Sequence, residues 1–298
     1  MKKDVLIIGA GPAGLAAAIY AQRAELSAAV LDRSPVSGGQ VLTTYEVDNY
    51  PGLPGISGMD LSEAMRGHAD KLGAEFIEAE VFSIERTTDG FLVKTDVGEL
   101  ETRNIIAATG AHHMSLDVPG EEDLQGMGVS YCATCDGAFF KGREVAVVGG
   151  GDVAVEDAIF LSRICKKVTL IHRRDELRAA ASLQKQLMAC ENVEILWNTV
   201  TVSIEGTDGV TGMRLKNKVD GGESLLPVDG VFIAVGIRPN SELFKGLVDM
   251  DDTGYIIAGE DCRTSCPGIL AAGDVRTKAL RQIVTAAADG ANAVNSIA

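Results

Sequence analysis

Positive charge is scarce in this sequence, and the shortage excludes two classes of partner. The chain of 298 residues has 27 lysines and arginines against 42 aspartates and glutamates, for a formal net charge of −15 at pH 7. A surface of that sign repels the phosphates of nucleic acids and of anionic lipids. We therefore expect neither a nucleic acid nor a membrane surface among the partners of the protein.

Long apolar runs and cysteines are scarce as well. No uninterrupted apolar run reaches the length of about 18 residues typical of a membrane-spanning helix. Six cysteines do not make a disulfide scaffold in a chain of this length, and a cytosolic protein with one redox pair fits better. The apolar start after Met1 resembles a signal peptide, but the glycines between residues 9 and 14 interrupt it. We expect an unprocessed, cytoplasmic protein.

A strand that runs into closely spaced glycines begins the chain. Residues 5–8 are all apolar, as in a buried parallel strand, and the glycines follow within residues 9–14. A helical stretch comes next, and a second apolar strand, residues 28–31, ends at Asp32. In a dinucleotide-binding fold such glycines let a pyrophosphate approach the helix N-terminus, and the acid accepts hydrogen bonds from a ribose. The acid suits an unphosphorylated ribose such as that of FAD.

The same pattern recurs later in the chain. An apolar strand, residues 145–148, leads into a G-x-G-x-x-A turn that begins at Gly149, and a helical stretch and a strand follow. This strand, predicted over residues 167–171, is followed by His172, and the offset from Gly149 to His172 equals the offset from Gly9 to Asp32. The internal repeat predicts two nucleotide sites in one chain.

The two copies differ at the end of the second strand. His172 stands where the first copy has Asp32, and Arg173, Arg174 and Arg178 follow it. An acid at this position repels a 2′-phosphate, whereas guanidinium groups bind one bidentately. The second site is therefore predicted to prefer NADPH to NADH.

A pair of cysteines lies just before the second copy. Cys132 and Cys135 are separated by two residues, so they can close and reopen a disulfide, which is two-electron chemistry. Asp136 follows at once and can give or take a proton as a thiolate forms or leaves. Because the pair stands at the entrance of a nucleotide-binding unit, we predict a redox-active dithiol. The following Phe139 and Phe140 fit either a docking surface or the core.

Three later segments are expected to complete the first domain. Residues 104–110, 231–236 and 268–274 are strand-like and end in small-residue turns. The last of them ends at Asp274, whose carboxylate could bind polyol hydroxyls, and the positive end of the helix predicted over residues 283–292 would point at a flavin ring.

The predicted fold class is α/β, with two Rossmann-like dinucleotide-binding domains. An FAD-binding domain is expected to comprise residues 1–113 and 242–298. An NADPH-binding domain that carries the dithiol, residues 114–241, is expected to be inserted between them. Two connections between the domains would allow a rigid-body rotation.

Together these motifs resemble the low-molecular-weight, bacterial-type thioredoxin reductases, which are pyridine nucleotide-disulfide oxidoreductases. The resemblance covers nearly the whole chain, and the set of motifs is highly specific. The motifs occur in the family's order: Gly9-x-Gly-x-x-Gly14, Gly38-Gly39-Gln40, Asn49-Tyr50-Pro51-Gly52, Cys132-Ala-Thr-Cys135-Asp136, Gly149-x-Gly-x-x-Ala154, His172-Arg-Arg-Asp-Glu-Leu-Arg178, Gly273-Asp274 and Arg281-Gln282.

The resemblance implies a homodimeric flavoenzyme that passes electrons from NADPH through FAD and a dithiol to thioredoxin, with a domain rotation between the half-reactions. It implies that Cys135 faces the flavin, Cys132 attacks the thioredoxin disulfide and Asp136 is the acid/base. The residues implied to hold FAD are Gly9, Gly11, Gly14, Asp32, Gly39, Gln40, Asn49, Gly110, Asp274, Arg281 and Gln282. Those implied to hold NADPH are Gly149, Gly151, Asp152, Ala154, His172, Arg173, Arg174 and Arg178.

Alternatives to a thioredoxin reductase fed by NADPH stay open at this point. One is a flavin dithiol oxidase on the same scaffold, a second is a reductase fed by ferredoxin, and a third is a non-catalytic redox sensor. The arginine cluster argues against the reductase fed by ferredoxin, because that enzyme needs no 2′-phosphate pocket. No metal site is expected, because Cys262 and Cys266 are spaced four apart with no histidine near them and no second cysteine pair.

Overall fold

The chain divides into two units, each built around one of the two glycine-ended strands. A computed structural model describes residues 2–44 and 46–297. The first unit comprises the residues up to His112 and those from Arg238 onward, and the second comprises His113–Ile237. The predicted borders, after residues 113 and 241, lie close to these crossings. Met1 and Ala298, the predicted ends of the first domain, lie outside the described residues.

Strands and helices alternate through both units. The α-helices are α1 (Pro12–Arg23), α2 (Gly58–Lys71), α3 (Ala133–Asp136), α4 (Asp152–Ser162), α5 (Ala181–Met188) and α6 (Ile283–Asn295). The strands are β1 (Lys3–Ile8), β2 (Ala28–Asp32), β3 (Glu75–Glu78), β4 (Val81–Thr87), β5 (Gly90–Thr95), β6 (Gly98–Ala107), β7 (Ala111–His113), β8 (Val129–Ser130), β9 (Glu144–Gly149), β10 (Lys167–Ile171), β11 (Val193–Leu196), β12 (Thr199–Gly206), β13 (Val210–Asn217), β14 (Glu223–Leu226), β15 (Gly230–Ala234), β16 (Ile237–Pro239) and β17 (Ile269–Ala271). Short 3₁₀ helices lie at Gly39–Thr43, Gly137–Phe140, Glu242–Phe244 and Gly273–Val275.

The sheet of the first unit has the order β3-β2-β1-β6-β5-β4, with β17 beside β6. Strands β3, β2, β1, β6 and β17 pair in parallel, while β4 and β5 pair antiparallel. Val5, Leu6 and Ile7 are fully buried because helices and loops cover both faces of the parallel part. The carboxyl ends of β1, β2, β6 and β17 therefore share one edge of the sheet, where dinucleotides bind in such folds.

Helix α6 packs tightly against α1 in the first unit. A Cβ at Gly290 of α6 would lie 2.1 Å from the carbonyl oxygen of Ala13 in α1, so only glycine allows this approach. The two helices bury small side chains such as Ala17, Ala286 and Ala293 between them and the sheet. Helix α6 begins after its N-cap residue, Gln282, which forms a capping box with Thr285.

The second unit has a parallel sheet of its own, in the order β11-β10-β9-β15-β8. A separate antiparallel sheet, β12-β13-β14, covers part of its core. The predicted α/β class with two Rossmann-like units is thus confirmed. One assignment was wrong: residues 231–236 were expected to complete the first domain, although they lie within the predicted bounds of the second, and they contain β15, which pairs with β9 of the second unit. None of the helices in the described part of the chain has the length and apolar character needed to cross a membrane.

Candidate active site

The two cysteines of the predicted dithiol form a disulfide at the start of α3. Cys132 is extended and directly precedes the helix, and Cys135 lies within it, with the two Cα atoms 5.3 Å apart. Both residues are partly exposed. The Cys132 sulfur lies 3.4 Å from the hydroxyl of Thr134. An exposed disulfide of this kind is accessible to exchange with a disulfide or dithiol from outside the chain.

The carboxyl group of Asp136 is held in a partly buried position next to the disulfide. Burial raises the pKa of Asp136, and a hydrogen bond from the hydroxyl of Ser130, 2.6 Å from Oδ2, opposes this rise only in part. A carboxyl group with a raised pKa keeps its proton at a higher pH than an exposed aspartate does. It is therefore better suited than an exposed aspartate to act as an acid toward a leaving thiolate.

The two phenylalanines after the dithiol differ in their surroundings. Phe140 is buried, with its ring edge-on to Phe232 at a centroid distance of 5.3 Å. Phe139 is 40% exposed. Phe140 therefore belongs to the core. Of the two phenylalanines, only Phe139 is exposed enough to serve as a docking surface.

The first glycine turn has the shape that a pyrophosphate needs. Gly9 has a φ of +109°, and a Cβ there would lie 2.4 Å from the carbonyl oxygen of Ala108. A Cβ at Gly14 would lie 1.8 Å from the carbonyl oxygen of Gly9, so α1 begins in direct contact with the turn. At Gly11, by contrast, the nearest heavy atom to a Cβ is 4.0 Å away. Two glycines close the turn, and the third leaves its backbone open to a ligand.

Asp32 and Gly39 both contact the first glycine turn. The Asp32 carboxylate accepts hydrogen bonds from the backbone N–H groups of Ala10, at 2.6 Å, and Ser34, at 2.9 Å. A Cβ at Gly39 would lie 3.6 Å from the Cα of Gly11, so the loop that contains it packs directly on the turn. Asp32 thus holds the turn in place with two of its lone pairs and retains others for a ligand.

The residues predicted to contact a flavin are joined by hydrogen bonds within the first unit. The Asn49 amide donates to Oε1 of Gln282 at 2.9 Å, and the Gln40 amide donates to the carbonyl oxygen of Ala111. Gly110 has a φ of +69°, and within the described part of the chain a Cβ there would meet no heavy atom beyond its chain neighbours within 4 Å. The chain thus brings Asn49 together with Gln282 although they are far apart in sequence.

Among the described residues of the first unit, two buried polar atoms have no hydrogen-bond partner: Oδ1 of Asp274 and Nε of Arg281. Burial raises the pKa of Asp274, while Lys278 and Arg281 oppose the rise electrostatically. The guanidinium of Arg281 lies over the ring of Tyr255, 4.0 Å from its centroid. Unpartnered buried polar atoms are costly, and a ligand with hydroxyl and carbonyl groups, such as FAD, would satisfy both.

The second glycine turn repeats this design. A Cβ at Gly149 would lie 2.6 Å from the Cβ of Ala154, which is fully buried, so the turn and α4 pack closely. At Gly151, which precedes α4, a Cβ would meet no heavy atom of the described residues within 4 Å other than those of its chain neighbours. Asp152 accepts a hydrogen bond from the backbone N–H of Ala180 at 2.8 Å, which joins α4 to the loop after β10.

His172 does not fit the role of a phosphate ligand. Its ring is 4% exposed, Nδ1 lies 2.9 Å from the carbonyl oxygen of Gly149, and Nε2 lies 2.9 Å from that of Glu176. A Cβ at Gly150 would lie 2.1 Å from the same ring. Because both ring nitrogens face backbone carbonyls, His172 supports the glycine turn and the following loop, and its ring cannot reach a ligand.

The three arginines after His172 are exposed and remain suited to a 2′-phosphate. Arg173, Arg174 and Arg178 all lie on the surface, and within residues 2–44 and 46–297 none of them forms an ion pair. The backbone N–H of Arg178 donates to the carbonyl oxygen of Gly150 at 2.8 Å, so this loop is attached to the glycine turn. The predicted phosphate-binding charge therefore lies beside the second turn.

One buried ion cluster of the first unit was not predicted from the sequence. The Asp289 carboxylate accepts hydrogen bonds from Arg276, Lys278 and the backbone N–H of Gly273, at distances of 2.7 to 2.9 Å. The three side chains are only 4% to 6% exposed. The cluster holds the turn that carries Asp274. The one signal in the sequence was the pair of basic residues shortly after the Gly-Asp dipeptide.

Two glycine turns at the edges of parallel sheets, together with a disulfide and an adjacent acid, define a disulfide oxidoreductase that uses dinucleotide cofactors. The comparisons with known proteins agree. The family model for "Pyridine nucleotide-disulphide oxidoreductase" matches residues 3–290. The chain belongs to this family, whose cofactors FAD and NADPH fit the two turns and the polar groups described above.

Individual relatives are similar over nearly their whole length. The chain is 52% identical to a thioredoxin reductase of Listeria monocytogenes over 96% of this chain and 90% of the relative. It is 46% identical to a thioredoxin reductase of Bacillus subtilis over 99% of this chain and 93% of the relative. The crystal structure of thioredoxin reductase from Streptococcus pyogenes matches with a TM-score of 0.95 and 45% identity, over 99% of this chain and 97% of that one.

Proposed function

We propose that this protein is an NADPH-dependent thioredoxin reductase. The observation that carries the proposal is the partly exposed Cys132–Cys135 disulfide beside a carboxyl group of raised pKa. The disulfide lies in the same unit as the glycine turn flanked by three arginines. The names of relatives that are 46% to 52% identical support thioredoxin as the substrate.

FAD, when bound, accepts a hydride from NADPH and supplies the electron pair that reduces the disulfide. The reduced chain then carries out thiol–disulfide exchange. The Cys132 thiolate attacks one sulfur of the thioredoxin disulfide, a mixed disulfide forms, and the other thioredoxin sulfur leaves as a thiolate that Asp136 protonates. The Cys135 thiolate next attacks the Cys132 sulfur, which restores the disulfide and releases reduced thioredoxin.

The proposed cofactor sites follow the two units. We assign FAD to the first unit, where Asp274 would hold its ribityl chain and Asn49 and Gln282 would contact its ring. We assign NADPH to the second unit, where Arg173 and Arg174 would bind its 2′-phosphate. The homodimer, the cytoplasmic location and the domain rotation between half-reactions belong to the proposal as predictions. A gel-filtration mass of twice 31.3 kDa would support the homodimer.

The test is NADPH oxidation by the purified protein with and without oxidised thioredoxin. We expect thioredoxin-dependent turnover in the wild type and none in the Cys135→Ser variant, because one thiol cannot complete the exchange. Ferricyanide, which takes electrons before the dithiol, measures flavin turnover in both proteins. Equal NADPH oxidation with and without thioredoxin would indicate an oxidase instead, and no flavin turnover with NADPH would indicate another electron donor.

A further inference from the structure

A buried hydroxyl connects the acid of the site to the backbone of the first cysteine. Ser130 ends β8, which pairs in parallel with β15, and its side chain is 6% exposed. Its hydroxyl donates to Oδ2 of Asp136 at 2.6 Å and accepts a hydrogen bond from the backbone N–H of Cys132 at 3.0 Å. The Ser130 hydroxyl oxygen therefore contacts both the carboxyl group of Asp136 and the backbone of Cys132.

The geometry lets this hydroxyl act on the acid in two ways. First, a sheet strand holds Ser130, so the hydroxyl gives the Asp136 carboxyl a fixed direction relative to the first turn of α3. Second, a hydrogen bond donated to a carboxylate stabilises the charged form and not the protonated one. The Ser130 hydroxyl lies 3.4 Å from the Cys132 carbonyl oxygen, so the shorter contact to Asp136 takes its proton.

We propose that Ser130 is a positioning residue for the dithiol reaction, which orients the Asp136 carboxyl and sets the pH range over which it transfers a proton. This inference rests on the proposed function, since it assumes that Asp136 is the acid of the exchange. Without the hydroxyl, the same burial would act on Asp136 unopposed, and its pKa would rise further.

Other ionisable groups near α3 need to be separated from Asp136 in any pH profile. Helix α4 packs against α3 and carries Asp152, Glu156 and Asp157. Burial and the neighbouring Glu156 raise the pKa of Asp157 to about 7, so this group titrates in the neutral range. The 3₁₀ helix Gly137–Phe140 carries no ionisable side chain.

Tyr131, which follows Ser130, contacts two more ionisable groups, Glu121 and His113. The Tyr131 hydroxyl donates to Oε1 of Glu121 at 2.7 Å, and its ring stacks on His113 with centroids 5.3 Å apart. Burial and the hydrogen bond to Glu121 raise the pKa of Tyr131. Tyr131 therefore stays protonated through the neutral range.

The experiment follows the oxidation of NADPH-reduced holoenzyme by oxidised thioredoxin in a single turnover between pH 5 and pH 9. The rate constant is plotted against pH, and the limb of this profile is the part where the rate changes as Asp136 titrates. In Ser130→Ala this limb should move to higher pH by about one unit, the size expected for loss of a hydrogen bond to a carboxylate. The direction is the same whether the limb reports the acid or the base form, because the pKa rises in both cases. Ser130→Thr, which keeps the hydroxyl on a β-branched side chain suited to a strand, should restore the wild-type limb.

Two further variants make the result specific. Thr199→Val removes another buried hydroxyl of the same unit, which donates to the carbonyl oxygen of Trp197, and should leave the limb unmoved. Asp157→Asn should also leave it unmoved, and a limb that disappears in this variant would overturn the assignment to Asp136. A Ser130→Ala profile that superimposes on the wild-type profile would overturn the role of Ser130.

The failure of this inference is distinguishable from the failure of the proposed function. If the reduced wild-type protein does not react with thioredoxin, the proposed substrate is wrong. The same variants are then compared with a small aromatic disulfide, dithiobis(nitrobenzoate), as the oxidant. A limb that moves in Ser130→Ala with this oxidant still supports the role of Ser130, and one that does not move overturns it.

Discussion

Breaking the buried ion cluster around Asp289 should strongly destabilise the first unit. Asp289→Asn would leave the guanidinium of Arg276 and the ammonium of Lys278 without a counter-charge, and both side chains are less than 7% exposed. Breaking a buried ion pair by removing one partner costs about 3 to 5 kcal/mol. For a unit of about 170 residues, each kcal/mol lowers the melting temperature by roughly 2 to 4 °C. We expect a decrease of roughly 6 to 20 °C.

The measurement is thermal unfolding of the FAD-bound protein, followed by circular dichroism and by the fluorescence of released flavin. Glu85→Gln serves as the matched control, because it breaks the exposed pair between Glu85 and Lys94, and such pairs contribute about 0 to 1 kcal/mol. Similar decreases in the two variants would refute the reasoning, since they would mean that the buried carboxylate contributes no more than a surface one.

The pH dependence of the same difference gives a second check. Burial alone would raise the pKa of Asp289, but hydrogen bonds from Arg276 and Lys278 outweigh it and lower the pKa below the ordinary value. A carboxylate with a lowered pKa contributes stability above its unfolded pKa of about 4, and this contribution is lost as the pH falls through the folded value. The gap between wild type and Asp289→Asn should therefore be constant at neutral pH and narrow below about pH 4.

Two further predictions concern the glycine turns and the arginines. Arg174→Gln should raise the KM for NADPH by about tenfold or more, because one charge-assisted hydrogen bond to the 2′-phosphate is lost. The KM for NADH should stay unchanged. Arg163 is another exposed arginine of the same unit, and Arg163→Gln should change neither KM. Gly14→Ala should abolish FAD binding, because its Cβ would lie 1.8 Å from the Gly9 carbonyl oxygen. Gly67 lies in an exposed part of α2, where a Cβ would meet open space. Gly67→Ala should therefore stabilise the protein by up to about 1 kcal/mol. Equal FAD content in the two alanine variants would contradict the steric argument.

Local patterns made the two units predictable, because each strand, glycine turn and helix is encoded by neighbouring residues. The closing helix, expected over residues 283–292, runs from Ile283 to Asn295, and the strand before His172 has the expected limits. The segment with β15 was misassigned, because an apolar parallel strand carries no mark of the sheet that it joins. Asp289 was missed because no periodic pattern links it to its partners, which lie 11 to 16 residues earlier in the chain, and its place in a helix of small residues suggested only packing.

The strand-end position of the two copies shows where reasoning from sequence was right and where it was incomplete. The aligned offsets of Asp32 and His172 correctly indicated equivalent places. In the structure both side chains bind the glycine turn of their own unit: Asp32 accepts from the N–H of Ala10, and His172 contacts the carbonyl oxygen of Gly149. The shared task of this position is therefore to hold the turn, which an acid does through an N–H group and an imidazole does through a carbonyl oxygen. It follows that the difference in charge between the two copies affects ligand preference only through side chains that can contact a ligand. Asp32 can do so because it retains free lone pairs, and Arg174 can do so because it is exposed.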